Sequence, residues 1–130
     1  MPHILIVEDD PIGAEVATVI CHAAGHTTVH AVDGRDALSR LEAEPFDLAL
    51  VDVQMPELDG ISLTLILRGM PAHAQLPVLG CTAKAGADAI AAMREAGMDD
   101  VVTKPYRNAT LREAIAGVLA NCAARVEAAV

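Results

Sequence analysis

Five short apolar runs punctuate the chain, and between them apolar residues recur at helical spacing. The runs are HILIV (3–7), TTVHAV (27–32), LALV (48–51), PVLGC (77–81) and DVVT (100–103). Near-continuous apolarity over so few residues suits strands covered on both faces, because a strand with one wet face would alternate. The stretch 11–24 carries Ile12, Val16 and Ile20 at i, i+4 and i+8, with Pro11 at its start and Gly25 just past its end. That is the pattern of an amphipathic helix. Four more helices are expected: 35–44, closed by Pro45; 61–68, after the turn signal LDG; 87–96, stopped by Gly97; and 110–119, with Thr110 or Asn108 as its cap.

Strand and helix thus alternate five times. That order implies βαβ units, a parallel sheet and helices on both faces, an α/β doubly wound fold. Neither a linker nor a second composition regime interrupts it. Residues 1–120 are expected to form one domain, and residues 121–130 (NCAARVEAAV) an extension of the last helix.

Composition narrows the partners. Among 130 residues, 53% are hydrophobic and only 2% aromatic, so the core must be aliphatic, with Phe46 and Tyr106 the whole aromatic inventory. Nine basic residues against eighteen acidic ones, a net charge of −9, argue against nucleic acid or an anionic membrane as partner. Cys21, Cys81 and Cys122 make no CxxC pair, which fits a reducing compartment. No apolar stretch is long enough to span a bilayer, and MPHILIVEDD turns acidic too soon for a signal peptide. A cytoplasmic location is expected.

The polar residues that break the apolar pattern sit where strands end. The first run ends in Glu8, Asp9 and Asp10, the third in Asp52, the fourth in Cys81-Thr82, and the fifth in Thr103-Lys104-Pro105. In a parallel sheet these C-terminal ends share one edge, where open α/β folds place ligands. Clustered carboxylates need a cation to stay ionised together, and Mg²⁺ takes hard oxygen ligands of this kind. A lysine and a threonine hydroxyl opposite it suit phosphoryl oxygens, with an aspartate as nucleophile between them. On residue types alone, an acidic surface cluster with a structural ion pair to Lys104 reads equally well.

LIVEDD (5–10), VDVQMPELDG around Asp52, CTA (81–83) and TKPY (103–106), in this order and spacing, resemble the response-regulator receiver domain of two-component signalling. The resemblance covers roughly residues 2–120 and includes DGRDAL (33–38) and EAGMDD (95–100). It implies a five-stranded parallel sheet of order 2-1-3-4-5, flavodoxin-like. It further implies that Asp52 is the phosphoacceptor. Mg²⁺ would be held by Asp9, by Glu8 through water, by Asp52 and by the backbone carbonyl of Gln54. Thr82 corresponds to the switch hydroxyl and Lys104 to the lysine that pairs with a phosphoryl oxygen. The Lys104–Pro105 bond would be cis. Donor proteins would dock near Ile12, Pro105 and Tyr106.

One position departs from the family pattern. Where many receivers carry an aromatic switch residue, this chain has Val101, which puts output through the surface of the last two helices and last strand in doubt. Gln54 and Lys84 lie where side chains approach the hydrolytic water, and neither is a general base, so slow self-hydrolysis is expected. Other features have plainer readings. His22, His26 and His30 are spaced by four, but Gly25 breaks their common face, so packing or surface roles are expected. Cys81 reads as a small core residue, Met55 and Met98 as loop packing, Gly60 as turn chemistry and Glu57 as a solvated charge. Val16 is expected on the inner stripe of the first helix; Ile12 reads equally as stripe or docking surface.

The expected function is therefore that of a single-domain, Mg²⁺-dependent response regulator and not a conventional enzyme. It would be a monomer, phosphorylated by a histidine kinase or histidine phosphotransfer protein and acting on a downstream protein target. A phosphorylation-independent binding module on the same fold is the alternative. An aspartyl phosphatase of the haloacid-dehalogenase type is disfavoured, because Gln54 stands where its second acid would be.

Overall fold

The computed structural model describes residues 1–55, 58–83 and 86–129, with side chains to residue 122. Five strands and five helices alternate: β1 (His3–Val7), α1 (Pro11–Ala23), β2 (Thr27–Ala31), α2 (Gly34–Ala43), β3 (Leu48–Asp52), α3 (Gly60–Gly69), β4 (Val78–Thr82), α4 (Ala87–Glu95), β5 (Asp100–Thr103) and α5 (Asn108–Ala129). All strand pairs are parallel, in the order β2-β1-β3-β4-β5. The order in which strands are added reverses after β2, so β1 and β3 lie side by side and their C-terminal ends open a crevice.

Alternation along each strand divides the core into two layers. Ile4, Ile6, Leu48, Leu50, Leu79 and Cys81 face α1 and α5, where they meet Ala17, Ile20, Leu111 and Ile115. Leu5, Val7, Ala49, Val51 and Val78 face α2, α3 and α4, against Ala37, Leu63, Leu67 and Met93. The central strands β3 and β4 are buried at every position, as their unbroken apolarity requires. Asp10, Asp33 and Asp59 cap α1, α2 and α3, each carboxylate accepting backbone N–H groups of the first turn.

The pattern misleads in three places. β2 is an edge strand in which only Ala31 is buried, and Val32 lies beyond it, half exposed. Helix α5 begins at Asn108, so neither Asn108 nor Thr110 stands outside it as a cap. In α1 the inner stripe is Ala14, Ala17, Ile20 and Cys21, while Val16 is 45% and Ile12 73% exposed. Close approach of helix to sheet favours the small residues, which turns the larger β-branched ones outward.

Opposite the crevice, Arg68 staples the other end of the sheet. Its guanidinium donates to the carbonyls of Gly97 (3.0 and 2.7 Å), Ala74 (3.2 Å) and Leu76 (2.7 Å), and to Asp99 Oδ2 (3.2 Å), which also accepts from Val78 N at 2.8 Å. It thereby ties the end of α3 to the entries of β4 and β5. Arg68→Met would strand several half-buried carbonyls and is expected to cost about 2–4 kcal/mol in urea unfolding, with no change at the crevice.

Candidate functional site

The crevice is built by the turns that leave β1, β3, β4 and β5. Beyond the end of β1, Glu8 N donates to Ala31 O at 3.0 Å, and Asp10 starts α1 at once. The carboxylate of Glu8 lies over Gly13, where any Cβ would collide with its Oε1. Asp52 ends β3 and accepts from Gln54 N at 3.1 Å. Gly60 packs so near the Asp52 carbonyl that a Cβ there would strike it. Thr82 ends β4, is buried, and its carbonyl accepts from Lys104 N at 2.7 Å. The Lys104–Pro105 peptide is cis.

Side chains converge in the space so framed. Glu8, Asp9 and Asp52 offer carboxylate oxygens that lie within 4.8 Å of one another. Lys104 Nζ reaches Glu8 Oε1 at 3.0 Å and Asp52 Oδ2 at 3.4 Å. Glu8 and Asp52 are both buried, whereas Asp9 is exposed. Burial, followed by the hydrogen bond to Asp52 and that residue's charge, pushes Glu8 up to about 7, although Lys104 opposes the shift. Burial alone would lower the Lys104 ammonium, but its bond to Glu8 and the charges of Asp52 and Glu8 outweigh that and raise it. One ammonium therefore does not neutralise the cluster. An ion that takes hard oxygen ligands fits this donor set, and among the described residues this is the one group of acidic, histidine or cysteine side chains so disposed.

The other candidates fall around this centre. Asp10, at the same strand end, is spent on its helix cap, with Oδ1 3.2 Å from Ile12 N. Val101 pairs with Gly80 across the β4–β5 ladder and packs half-buried on the second core layer. Ile12, Val16, Pro105 and Tyr106 line a cleft of about 430 Å³ beside Lys104. Tyr106 is half-buried and its phenol is raised by burial. Cys81 is buried with its thiol pushed well up, and burial pushes Cys21 up to about 11, so both behave as core residues. Met55 and Met98 are buried in the second core layer. The three histidines share no site: His22 meets Thr28 Oγ1 at 3.0 Å, and His30 reaches the Glu8 carbonyl at 2.7 Å. Lys84 and Glu57 lie outside the described residues.

Sequence reasoning passed over Gly13, expected only a packing or surface role for His30, and saw in Gly60 only a turn. The usable signal was the missing side chain: a glycine inside the first turn of a helix marks close approach as well as a turn. For His30 there was none, because the contact depends on the β1–β2 register.

Comparison with known proteins places these features in a family. The family model for the response regulator receiver domain matches residues 4–116. A sensor histidine kinase, GacS of Pseudomonas protegens, is 32% identical over 88% of this chain and 13% of its own length. The transcriptional regulatory protein CseB of Streptomyces coelicolor is 36% identical over 90% of this chain and 49% of its own. The chain therefore spans less than half of either relative. Among solved structures, the receiver domain of a Syntrophus aciditrophicus histidine kinase superposes with TM-score 0.86 at 35% identity, covering 93% of this chain and 92% of that one. The receiver domain of the sensor histidine kinase PA1611 of Pseudomonas aeruginosa, described with a magnesium ion coordinated in its active site cleft, gives 0.84 at 28% identity, covering 92% of this chain and 98% of that one.

The carboxylate cluster makes a pH prediction for the metal-free protein. Because folding raises Glu8 from 4.5 to about 7, its favourable contribution is complete below pH 4.5 and is lost as pH rises through 7. Glu8→Gln stays neutral and avoids that loss. Urea unfolding in EDTA at pH 8 should show the variant more stable by about 2 kcal/mol. The gap should close below pH 4.5.

Proposed function

The chain belongs to the response-regulator receiver family, and on that premise we propose that it accepts a phosphoryl group from a phosphohistidine onto Asp52. The observation that carries this reading is the arrangement of Glu8, Asp9 and Asp52 within 4.8 Å, with Lys104 Nζ bridging Glu8 and Asp52. A carboxylate held beside an ammonium, in a cluster short of positive charge, is poised to receive an electrophilic phosphoryl group together with a cation.

Asp9, Asp52, the Gln54 carbonyl and, through water, Glu8 are the proposed Mg²⁺ ligands, and the magnesium ion described in the active site cleft of the PA1611 receiver supports the choice of ion. Bound there, the ion supplies positive charge to the phosphoryl oxygens. The chain's own groups do the rest. An Asp52 carboxylate oxygen forms the bond to phosphorus as the phosphorus–nitrogen bond of the donor breaks, and the departing imidazole takes its proton from solvent. Lys104, released from Asp52 Oδ2, pairs with a phosphoryl oxygen, and the Thr82 hydroxyl turns toward another. Gln54, two residues past Asp52, is not a base for water, and slow hydrolysis of the acyl phosphate is expected. This chemistry is a single self-modification and not multiple turnover.

The donor would be a histidine kinase or a histidine phosphotransfer protein. It would dock on the exposed Ile12, with Val16 beside it, and on Pro105 and Tyr106 at the edge of the cleft. Residues 1–120 are the proposed phosphoacceptor unit, acting as a cytoplasmic monomer on a downstream protein, with 121–130 an extension of α5. No helix among the described residues is long and apolar enough to cross a membrane.

Incubation with acetyl phosphate and Mg²⁺, followed by intact mass, tests the reading. A gain of one phosphoryl group is expected, absent without Mg²⁺ and absent in Asp52→Asn. Lys104→Met should slow the gain at least tenfold, by an amount on the order of 2 kcal/mol in the barrier. An unmodified native protein would leave the phosphorylation-independent binding module as the reading, and equal gain in Asp52→Asn would overturn Asp52 as the acceptor.

A further inference from the structure

The peptide that joins Glu8 to Asp9 lies past the end of β1, where the β1–β2 ladder has closed on its last pair, Val7 and Ala31. Its neighbours are pinned. Glu8 N is held by Ala31 O at 3.0 Å, Asp10 O accepts from Ala14 N at 3.0 Å, and the Asp10 carboxylate accepts from Ile12 N and Gly13 N. The carbonyl of Glu8 is held differently. It is met at 2.7 Å by Nε2 of His30, which reaches it from the edge strand β2. A carbonyl lacks a hydrogen of its own, so Nε2 must carry the proton and donate it.

We propose that His30 is a positioning residue for the acidic pair: by holding the Glu8 carbonyl it fixes the plane of the Glu8–Asp9 peptide, and so the aim of the Asp9 carboxylate, beside that of Glu8, toward a divalent cation. Rotation of that one peptide would swing Asp9 relative to Glu8 without disturbing the strand before it or the helix after it. The Glu8 side chain is already confined by Gly13 and Lys104. Asp9 is exposed, so its direction depends on the backbone beneath it. His30 thus acts one shell out from the ligands, where such hydrogen bonds set metal affinity. The inference rests on the Mg²⁺ reading of the pocket and adds a residue to it.

The test is isothermal titration of Mg²⁺ into the full chain at pH 8, for the native protein, His30→Phe and His30→Gln, with thermal unfolding in EDTA alongside. His30→Phe keeps a ring and loses the donor; its Kd should rise about five- to tenfold. His30→Gln keeps an N–H at similar reach and should stay within about twofold of native. A role confined to folding would lower the unfolding temperature and leave Kd alone. A Kd for His30→Phe within twofold of native, or a loss in His30→Gln equal to that in His30→Phe, overturns the proposal. One measurement needs no variant: the side-chain ¹⁵N spectrum of the native protein should show His30 protonated at Nε2, and a bare Nε2 overturns the proposal even if neither variant folds. Failure of the native chain to bind Mg²⁺ would sink the metal reading and this one together, whereas native binding with a silent His30→Phe sinks this one alone.

Discussion

Everything at the crevice follows from holding buried carboxylates close together. Glu8 follows β1 and Asp52 ends the neighbouring β3, and Asp9 stands beside Glu8, with oxygens within 4.8 Å of one another. Like charges at that range, partly shielded from water, cannot all stay ionised without compensation. Lys104 supplies part of it, from the end of β5, by bonding to both buried members. The remainder appears as the raised Glu8, and an ion that takes hard oxygen ligands fits the donor set that is left short of positive charge.

The rest of the fold can be read as the framework for that arrangement. The topology puts β1 and β3 side by side, so two acidic strand ends meet at the place where the crevice opens. Glycines at 13 and 60 give the needed clearance, one for the Glu8 carboxylate and one for the Asp52 carbonyl. Aspartate caps at 10, 33 and 59 start α1, α2 and α3 where the crevice requires the chain to turn. At the opposite end of the sheet, Arg68 closes the structure with bonds to main-chain carbonyls, away from the chemistry. The carboxylate cluster and the Arg68 bonds thus lie at opposite ends of the sheet.

Much of this was legible in the linear chain. Buried strands in a parallel sheet must be apolar throughout, so β1, β3 and β4 announce themselves, and their polar terminators mark the edge where the carboxylate cluster forms. Edge position is a different matter, because it depends on which strand ends up outermost. TTVHAV reads like the other runs, yet β2 buries Ala31 alone. Helix facing failed similarly at Val16. Spacing shows that a stripe exists, but Ile12-Val16-Ile20 and Ala14-Ala17-Cys21 both satisfy helical periodicity, and packing distance chose the alanines. The outward turn of Ile12 and Val16 leaves an apolar rim beside the pocket.

By itself, the sequence determined the order of the elements, the chemistry gathered at the strand ends and the residue types available there, since periodicity and strand-end polarity are local properties. Tertiary structure decided which carboxylates share the cluster and which is spent as a cap. It put Lys104 between Glu8 and Asp52, left Val101 facing Gly80, and carried His30 from an edge strand to the carbonyl of Glu8. Those outcomes join residues dozens of positions apart. They depend on strand order, register and the closeness of helix to sheet, which no local pattern contains.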